Sequence, residues 1–366
     1  MRKKIICVVG TRPEAIKMAP LINSLKNEDW VECKVLATAQ HREMLDQVLG
    51  LFDICPDIDL NIMRPNQSLV ELTSRLLVEV DRVLSQEAPD AVIAQGDTTT
   101  VMTVALACFY RGIPFGHVEA GLRTWDMRNP FPEEMNRVIA GRIATWHFAP
   151  TESSRGNLLK EGVPEREIVL TGNTVIDALL DVVTRCDHLV PNIPQGRRLI
   201  LVTSHRRENF GEPFEEICRA IRTLVENNSD VEVLYPVHPN PNVKETAHRM
   251  LSGLDRVTLT DPLDYLPFVA AMRGAYLILS DSGGVQEEAP ALGKPVLVLR
   301  RETERPEAVD AGVVKLVGPD HARIVEEAQR LLDDASAYQA MARGVSPYGD
   351  GKASQRIVKV LREYFA

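Results

Sequence analysis

The sequence predicts an α/β protein built from two Rossmann-like, doubly wound domains facing a central cleft. Short β-branched runs alternate with longer amphipathic segments along the chain, which implies parallel sheets covered on both faces. The two halves also repeat one plan. "AVIAQGDTTTVMTVALACFYRGIPFGHVEAG" and "AYLILSDSGGVQEEAPALGKPVLVLRRETE" each run strand, polar loop, helix, Gly-x-Pro, strand. Finally, 366 residues suit two domains better than one or three. Two such sheets in tandem are expected to place their strand ends across a shared cleft, where ligands of doubly wound sheets bind.

In chain order, strands are expected at "KIICVV", "CKVLAT", "AVIAQ", "FGHVEA", "WHFAP" and "IVLTG". The second half adds "RLILVT", "VEVLYPV", "VTLTD", "AYLILSD" and "PVLVL". Between them the spacing predicts helices, the clearest over Ser68 to Glu87. There Leu69, Leu72, Leu76, Val80 and Val83 form one stripe, and Ser68 with Glu71 makes a capping box. "HLVPNIPQGRR" carries Pro and Gly without apolar periodicity and reads as the linker. The domains are therefore placed at 1–185 and 197–352. The last segment, 353–366, reads as a helix packed outside the second sheet, with a return to the first domain as the alternative.

Composition narrows the class. A net charge of −9 argues against a general nucleic-acid binder, which needs a broad basic surface, but not against a local phosphate site. Six scattered cysteines without a C-x-x-C pair read as free thiols of a cytoplasmic protein rather than disulfides or metal ligands. The N-terminal apolar run is too short for a signal peptide, and no stretch approaches a membrane span. No metal and no membrane partner are expected.

Chemistry is concentrated where strands end. In "VVGTRPEAIKMAPL", Gly10 allows a tight exit from the strand and Pro13 suits the first turn of the next helix. Arg12 and Lys17 then stand near a helix start that already favours an anion; the alternative is two solvated cations. Asp97 in "QGDTTT" and Glu119 in "GHVEAGLRT" end consecutive strands, and Pro132 introduces Glu133 and Glu134 at a helix start. Asp97 also fits a helix cap, and Glu133 a first-turn residue favoured by the helix dipole. Together these carboxylates could divide proton removal from proton delivery. In the second half, His205, Arg206 and Arg207 follow a strand, the arrangement of a phosphate-facing turn. "SDSGGVQEE" offers Ser282, Gly283 and Gly284 to a diphosphate at a helix N-terminus. Glu287 or Glu288 is placed for ribose hydroxyls, with Arg305 nearby in sequence. Neither a nicotinamide fingerprint nor a Walker lysine is present, so NAD and ATP hydrolysis are disfavoured.

Taken in order, "GTRPEAIKMAPL", "TAQHREMLDQVL", "QGDTTT", "GHVEAGLRT", "FPEEMNR", "GNTVIDAL", "HRRENFGEPFEEI", "YPVHPNP", "DYLPF" and "DSGGVQEEAPALGKPVLVLRRETERPEA" resemble the bacterial non-hydrolysing UDP-N-acetylglucosamine 2-epimerases. The resemblance runs from about Ile5 to the last helix. It implies a glycosyltransferase-B type fold and reversible epimerisation of UDP-GlcNAc to UDP-ManNAc at C2. UDP leaves by anti elimination through 2-acetamidoglucal and adds back, with no nicotinamide or metal. By motif position, Asp97, Glu119 and Glu133 match the catalytic carboxylates, with the C2 base undecided among them, and His205 joins them. Arg12, Lys17 and His205 match groups near the diphosphate and sugar. Phe268, Ser282, Gly283, Gly284, Glu288 and Arg305 match the uridine-diphosphate pocket. Gln40, His41, Glu43, Arg206 and His238 match an allosteric site for a second UDP-GlcNAc. Glu43 and Asn66 depart from that effector pattern, and Leu263 stands before "DYLPF" where a polar residue can occur. A homodimer and a role in cell-surface polysaccharide synthesis are further implications, and no kinase module is expected after Ala366. The competing readings are a hydrolysing epimerase releasing ManNAc and UDP, a UDP-sugar glycosyltransferase, and a UDP-sugar-binding regulator without turnover.

Overall fold

The structure, a computed structural model, describes residues 2–38, 42–64 and 67–366. The described residues form two parallel sheets. The first contains β1 (Lys3–Val9), β2 (Val31–Ala37), β3 (Ile58–Asp59), β4 (Ala91–Gln95), β5 (Phe115–Val118), β6 (Trp146–Ala149) and β7 (Ile168–Leu170), in the order β3-β2-β1-β4-β5-β6-β7. The second contains β8 (Arg198–Thr203), β9 (Val231–Pro236), β10 (Val257–Thr260), β11 (Leu277–Ser280), β12 (Val296–Val298) and β13 (Val314–Leu316), in the order β10-β9-β8-β11-β12-β13. Each strand expected from the sequence is present. β3 and β13 were not anticipated, being two- and three-residue edge strands that pair on one side only.

The central strands β4 and β11 are buried along their whole length, as sheets covered on both faces require. In each sheet the first and fourth strands are neighbours, β1 with β4 and β8 with β11. From there the connections run outward in opposite directions, which makes the carboxyl ends of these strand pairs the topological switch points.

Local signals hold where capping chemistry was legible. Ser68 and Glu71 form the expected capping box on the helix Leu69–Glu87, and Thr11 and Glu14 form a further, unanticipated one on the helix Arg12–Lys26. In the first of these helices Leu72, Leu76, Val80 and Val83 are buried, whereas Leu69 is exposed. The helix Thr99–Arg111 is capped by Thr98, whose side chain accepts from Val101, so Asp97 is not spent as a cap. The six cysteines are free thiols; four are buried, Cys33 is half-buried and Cys55 is exposed. No described helix is long and apolar enough to cross a membrane.

The chain divides into two compact units, Met1–Ala178 with Tyr348–Ala366, and Leu179–Pro347. This corrects the placement of the last helix. Ala353–Phe365 packs on the first unit, not outside the second sheet. Its buried Ile357, Val358 and Leu361 supply the apolar face. Asp177 accepts hydrogen bonds from the backbone N–H of Ala353 (3.2 Å) and Ser354 (2.8 Å). Tyr364 meets the buried Trp146 edge-on at 4.7 Å, and Arg362 pairs with Glu28. The Pro-rich stretch read as the linker also belongs to a unit. Val190 and Pro191 close over Gly274, where an added Cβ would lie 3.0 Å from Val190 Cγ1.

Trp146→Ala is expected to lower the unfolding free energy of the first unit by roughly 3–5 kcal/mol, the usual result of emptying a buried aromatic site. Denaturant titration of the full chain reads this, and an unchanged first-unit midpoint would show that the terminal helix does not pack as described.

Candidate active site

The first unit builds its site at the exits of β1, β4 and β5. Gly10 follows β1 directly, and its importance is steric. A Cβ there would come within 2.7 Å of Thr38 Oγ1 and 3.1 Å of Glu14 Oε2. That close approach lets the Glu14 carboxylate accept from the N–H groups of Gly10 (2.6 Å) and Thr11 (3.0 Å). Thr98 Oγ1, at the exit of β4, hydrogen bonds to Glu14 Oε1 at 2.6 Å.

Glu119 follows β5 with φ +63°, a left-handed conformation that costs an ordinary residue on the order of 1–3 kcal/mol. Its carboxylate explains what holds it there. Oε1 lies 2.5 Å from Lys17 Nζ and 2.9 Å from Asn173 Nδ2, and Oε2 accepts from Gln95 Nε2. Lys17 and Glu119 are thus a largely buried ion pair, and the helix cation expected to face an anion faces this carboxylate. Gly121 (φ +94°) completes the turn, since a Cβ there would lie 2.3 Å from Ser154 O. Beneath it, His117 Nε2 bonds the carbonyl of Gly96 at 2.7 Å; burial pushes this imidazole down to about 4, so it is neutral and donates.

Asp97 is held differently. Arg137 grips only Oδ2, through Nη2 (2.6 Å) and Nε (3.0 Å), and Asn136 Nδ2 donates to the Asp97 carbonyl. Both partners lie on the helix Glu133–Ile143. Of the two glutamates starting that helix, Glu134 is buried. It takes the N–H groups of Thr124 and Trp125 as well as Arg137 Nη1 at 2.9 Å. Glu133 is half-buried, and its side chain makes no hydrogen bond or ion pair among the described residues. Arg12 is half-buried in the first turn of its helix.

In the second unit, Asp281 at the exit of β11 organises the exit of β8. Fully buried, it accepts from Ser204 Oγ (2.8 Å), from the N–H groups of His205 (2.9 Å) and Arg206 (3.0 Å), and from Asn209 Nδ2 (3.0 Å). The His205 ring stacks on His238 at 5.4 Å. Burial pushes its pKa down, opposed by the Asp281 charge 3.4 Å from Nδ1. Arg206 is half-buried, and its Nε is buried without a hydrogen-bond partner among the described residues. Ser282 caps the helix Gly283–Ala291 by position but makes no side-chain capping bond. Gly283 lies flat on the guanidinium of Arg305, where a Cβ would sit 2.7 Å away. Arg305 Nε in turn bonds Glu287 at 2.6 Å. Glu288 accepts from Tyr265 at 3.2 Å and lies beside Gly284, while Phe268 is half-buried on the helix Tyr265–Gly274.

The structure therefore brings Lys17 to Glu119 and His205 to His238, and places Asp97 on the same sheet edge as Glu119. Gln95, Asn173, Arg137 and Asp281, which hold the predicted residues in place, and the inward-turned Glu134 were not singled out from the sequence. Asn136 and Arg137 lay one turn along the predicted helix from Glu133, a spacing that could have singled them out. Gln40 and His41 lie outside the described residues, as do Asn66 and the side chain of Glu43. Among the described residues, no group of three or more His, Cys, Asp or Glu is arranged to hold a metal ion.

Two parallel doubly wound sheets, one edged with carboxylates and one with a glycine-led helix start, define a two-domain α/β enzyme of the glycosyltransferase-B type. A family model described as UDP-N-acetylglucosamine 2-epimerase matches residues 23–362. The Escherichia coli K12 UDP-N-acetylglucosamine 2-epimerase is 56% identical over 98% of both chains. A probable UDP-N-acetylglucosamine 2-epimerase of Ralstonia nicotianae is 56% identical over the full length of both. The crystal structure of the Neisseria meningitidis UDP-GlcNAc 2-epimerase bound to UDP-GlcNAc superposes with a TM-score of 0.92. It is 48% identical and covers 98% of this chain and 100% of its own. The chain belongs to the UDP-N-acetylglucosamine 2-epimerase family, and its class of reaction is epimerisation.

Asp281→Ala strips the partner from four buried or half-buried donors at once. It is expected to lower the stability of the second unit by roughly 3–5 kcal/mol, with Asp281→Asn intermediate. Denaturant midpoints for the two variants check this ordering; an Ala variant as stable as wild type would refute the organising role.

Proposed function

We propose that the chain interconverts UDP-N-acetylglucosamine and UDP-N-acetylmannosamine without net hydrolysis. The C2 proton is removed as the C1–O bond to UDP breaks on the opposite face. The C–H electron pair becomes the C1=C2 bond of 2-acetamidoglucal, and UDP leaves with the C1–O pair. A UDP oxygen then re-adds to C1 while a proton is delivered to the other face of C2. Nothing is oxidised or reduced, so the balance calls for no nicotinamide, and the proposal includes no metal.

The observation that carries this reading is the unequal holding of three carboxylates in one unit. Both oxygens of Glu119 are occupied by Lys17, Asn173 and Gln95, which suits a fixed charge. The Asp97 carboxylate is gripped through one oxygen only, and the Glu133 carboxylate makes no hydrogen bond or ion pair among the described residues. In this reading Asp97 and Glu133 move the protons on the two faces. Glu119, with Lys17, fixes the field around them. By motif position, Arg12 in the first unit and His205 in the second match groups near the diphosphate, and Ser282, Gly283, Gly284, Glu288, Arg305 and Phe268 match the nucleotide pocket of the second unit. The UDP-GlcNAc-bound Neisseria relative supports the choice of nucleotide sugar.

A second UDP-GlcNAc as activator belongs to the same proposal, with Arg206 and His238 described above as its groups in the second unit. So does a homodimer. Val70, Val78, Phe109 and Tyr110 are exposed apolar side chains on two packed helices of the first unit, bridged by the Asp81–Arg111 ion pair. The product is assigned to cytoplasmic supply of ManNAc units for cell-surface polysaccharide.

Purified protein given UDP-GlcNAc in deuterated water is expected to form UDP-ManNAc and to place deuterium at C2 of both sugars. Mass spectrometry showing free ManNAc and UDP as products instead would overturn the non-hydrolysing reading. Asp97→Asn is expected to lower kcat by about 10²–10⁴-fold, the range for loss of a proton-transfer group, with UDP affinity kept within about threefold. Full activity in that variant would remove Asp97 from the catalytic set.

A further inference from the structure

Glu14 is a titratable group that the reaction described above does not use. Only 3% of it is exposed, and it sits at the switch point between β1 and β4. Its two oxygens are shared among three donors or partners on two strand exits: Gly10 and Thr11 after β1, and Thr98 after β4. Thr98 is the residue next to Asp97 and caps the helix that follows it.

The charges around Glu14 do not compensate it. From the exit of β4 it faces Asp97, itself paired with Arg137 of the helix Glu133–Ile143. On its own helix, Lys17 is engaged by Glu119 from the exit of β5, and Arg12 stands at the helix start. Among the described residues, the turn after β2 and the helix Thr99–Arg111 bring only the hydroxyls of Thr38 and Thr100, 3.4 Å apart, against the same face of Gly10. No ion pair to Glu14 is formed among the described residues. An ionised carboxylate enclosed in this way is costly, whereas a neutral carboxyl satisfies every contact. Protonated on Oε1, it donates to Thr98 Oγ1, and Oε2 accepts from the two backbone N–H groups.

Resting on the epimerase reading, we propose that Glu14 is a positioning residue for Asp97. As a neutral carboxyl it ties the exit of β1 to the exit of β4; its ionisation sets an unpaired negative charge beside Asp97 and weakens catalysis. Burial pushes this carboxyl up to about 7, against the hydrogen bonds from Thr98, Gly10 and Thr11 and with the Asp97 charge adding to the rise. The folded protein thus holds the proton to higher pH than the unfolded chain. The contribution of Glu14 to stability is full below about 4.5 and is lost as pH rises through about 7.

The test compares wild type, Glu14→Gln and Glu14→Ala. The amide of Gln reproduces the neutral carboxyl: its NH2 reaches Thr98 and its oxygen accepts from Gly10 and Thr11. Wild-type kcat is expected to fall several-fold between about pH 6 and about pH 8.5, and Glu14→Gln to lack that alkaline limb while staying within about threefold of wild type at pH 6. Glu14→Ala is expected to lose about tenfold or more in kcat with KM little changed, because the loop carrying Asp97 is no longer tied. A Gln variant that keeps the wild-type alkaline limb, or that is as impaired as Ala, overturns the proposal. Infrared titration of the free protein, wild type minus Glu14→Gln, reads the proton itself. A carboxyl titrating near neutrality supports the assignment, and one ionised throughout that range overturns it. If wild type fails to exchange C2 deuterium, the epimerase reading falls separately, and the infrared result still decides whether Glu14 stands neutral.

Discussion

Where the central strands of a parallel sheet send their chains to opposite sides, the turns that follow them leave backbone N–H groups without ladder partners. Both units meet this constraint with an enclosed acidic side chain. In the first, Glu14 reaches back from a helix to the turn after β1 and across to the turn after β4. In the second, Asp281 at the exit of β11 collects the turn after β8. The same problem is solved from opposite sides of the switch point. What surrounds each acid then differs, because one is served by two N–H groups and a hydroxyl and the other by a wider set of donors.

These ties leave Asp97 clear of the capping role. Thr98 rather than Asp97 caps its helix, so Asp97 keeps an oxygen unoccupied by Arg137. Glu119 is the reverse case. It occupies a strained backbone position and is surrounded by donors, so its charge is fixed before any ligand arrives. In the proposed reaction, the acid that moves protons and the one that holds a field sit on adjacent strand exits, told apart by how each is held.

Strands were legible because buried parallel strands are short β-branched runs, and the capping box at Ser68 has a local signature. β3 and β13 were too short and too peripheral to leave one. An amphipathic pattern states that the terminal helix has a buried face but not which unit covers it, and its placement had to be corrected. A similar limit applies inside the site. Two glutamates at a helix start look alike in sequence, yet Glu134 turns inward to Thr124, Trp125 and Arg137 while Glu133 does not. Lys17 reads as an anion binder or a solvated cation, and only the fold brings to it Glu119, 102 positions away. Asp281 resembles any polar residue at a strand end until its burial is known.

The return of the last helix to the first unit has a consequence for the order of assembly. During synthesis, residues 179–347 can emerge and fold while the first unit still lacks the segment that covers Trp146 and engages Asp177. The first part of the chain to leave the ribosome is the last to be completed. Until then it presents an uncovered aromatic face and an acid without its backbone partners, which is the stage at which a nascent chain of this design is most exposed to misassociation and to chaperones.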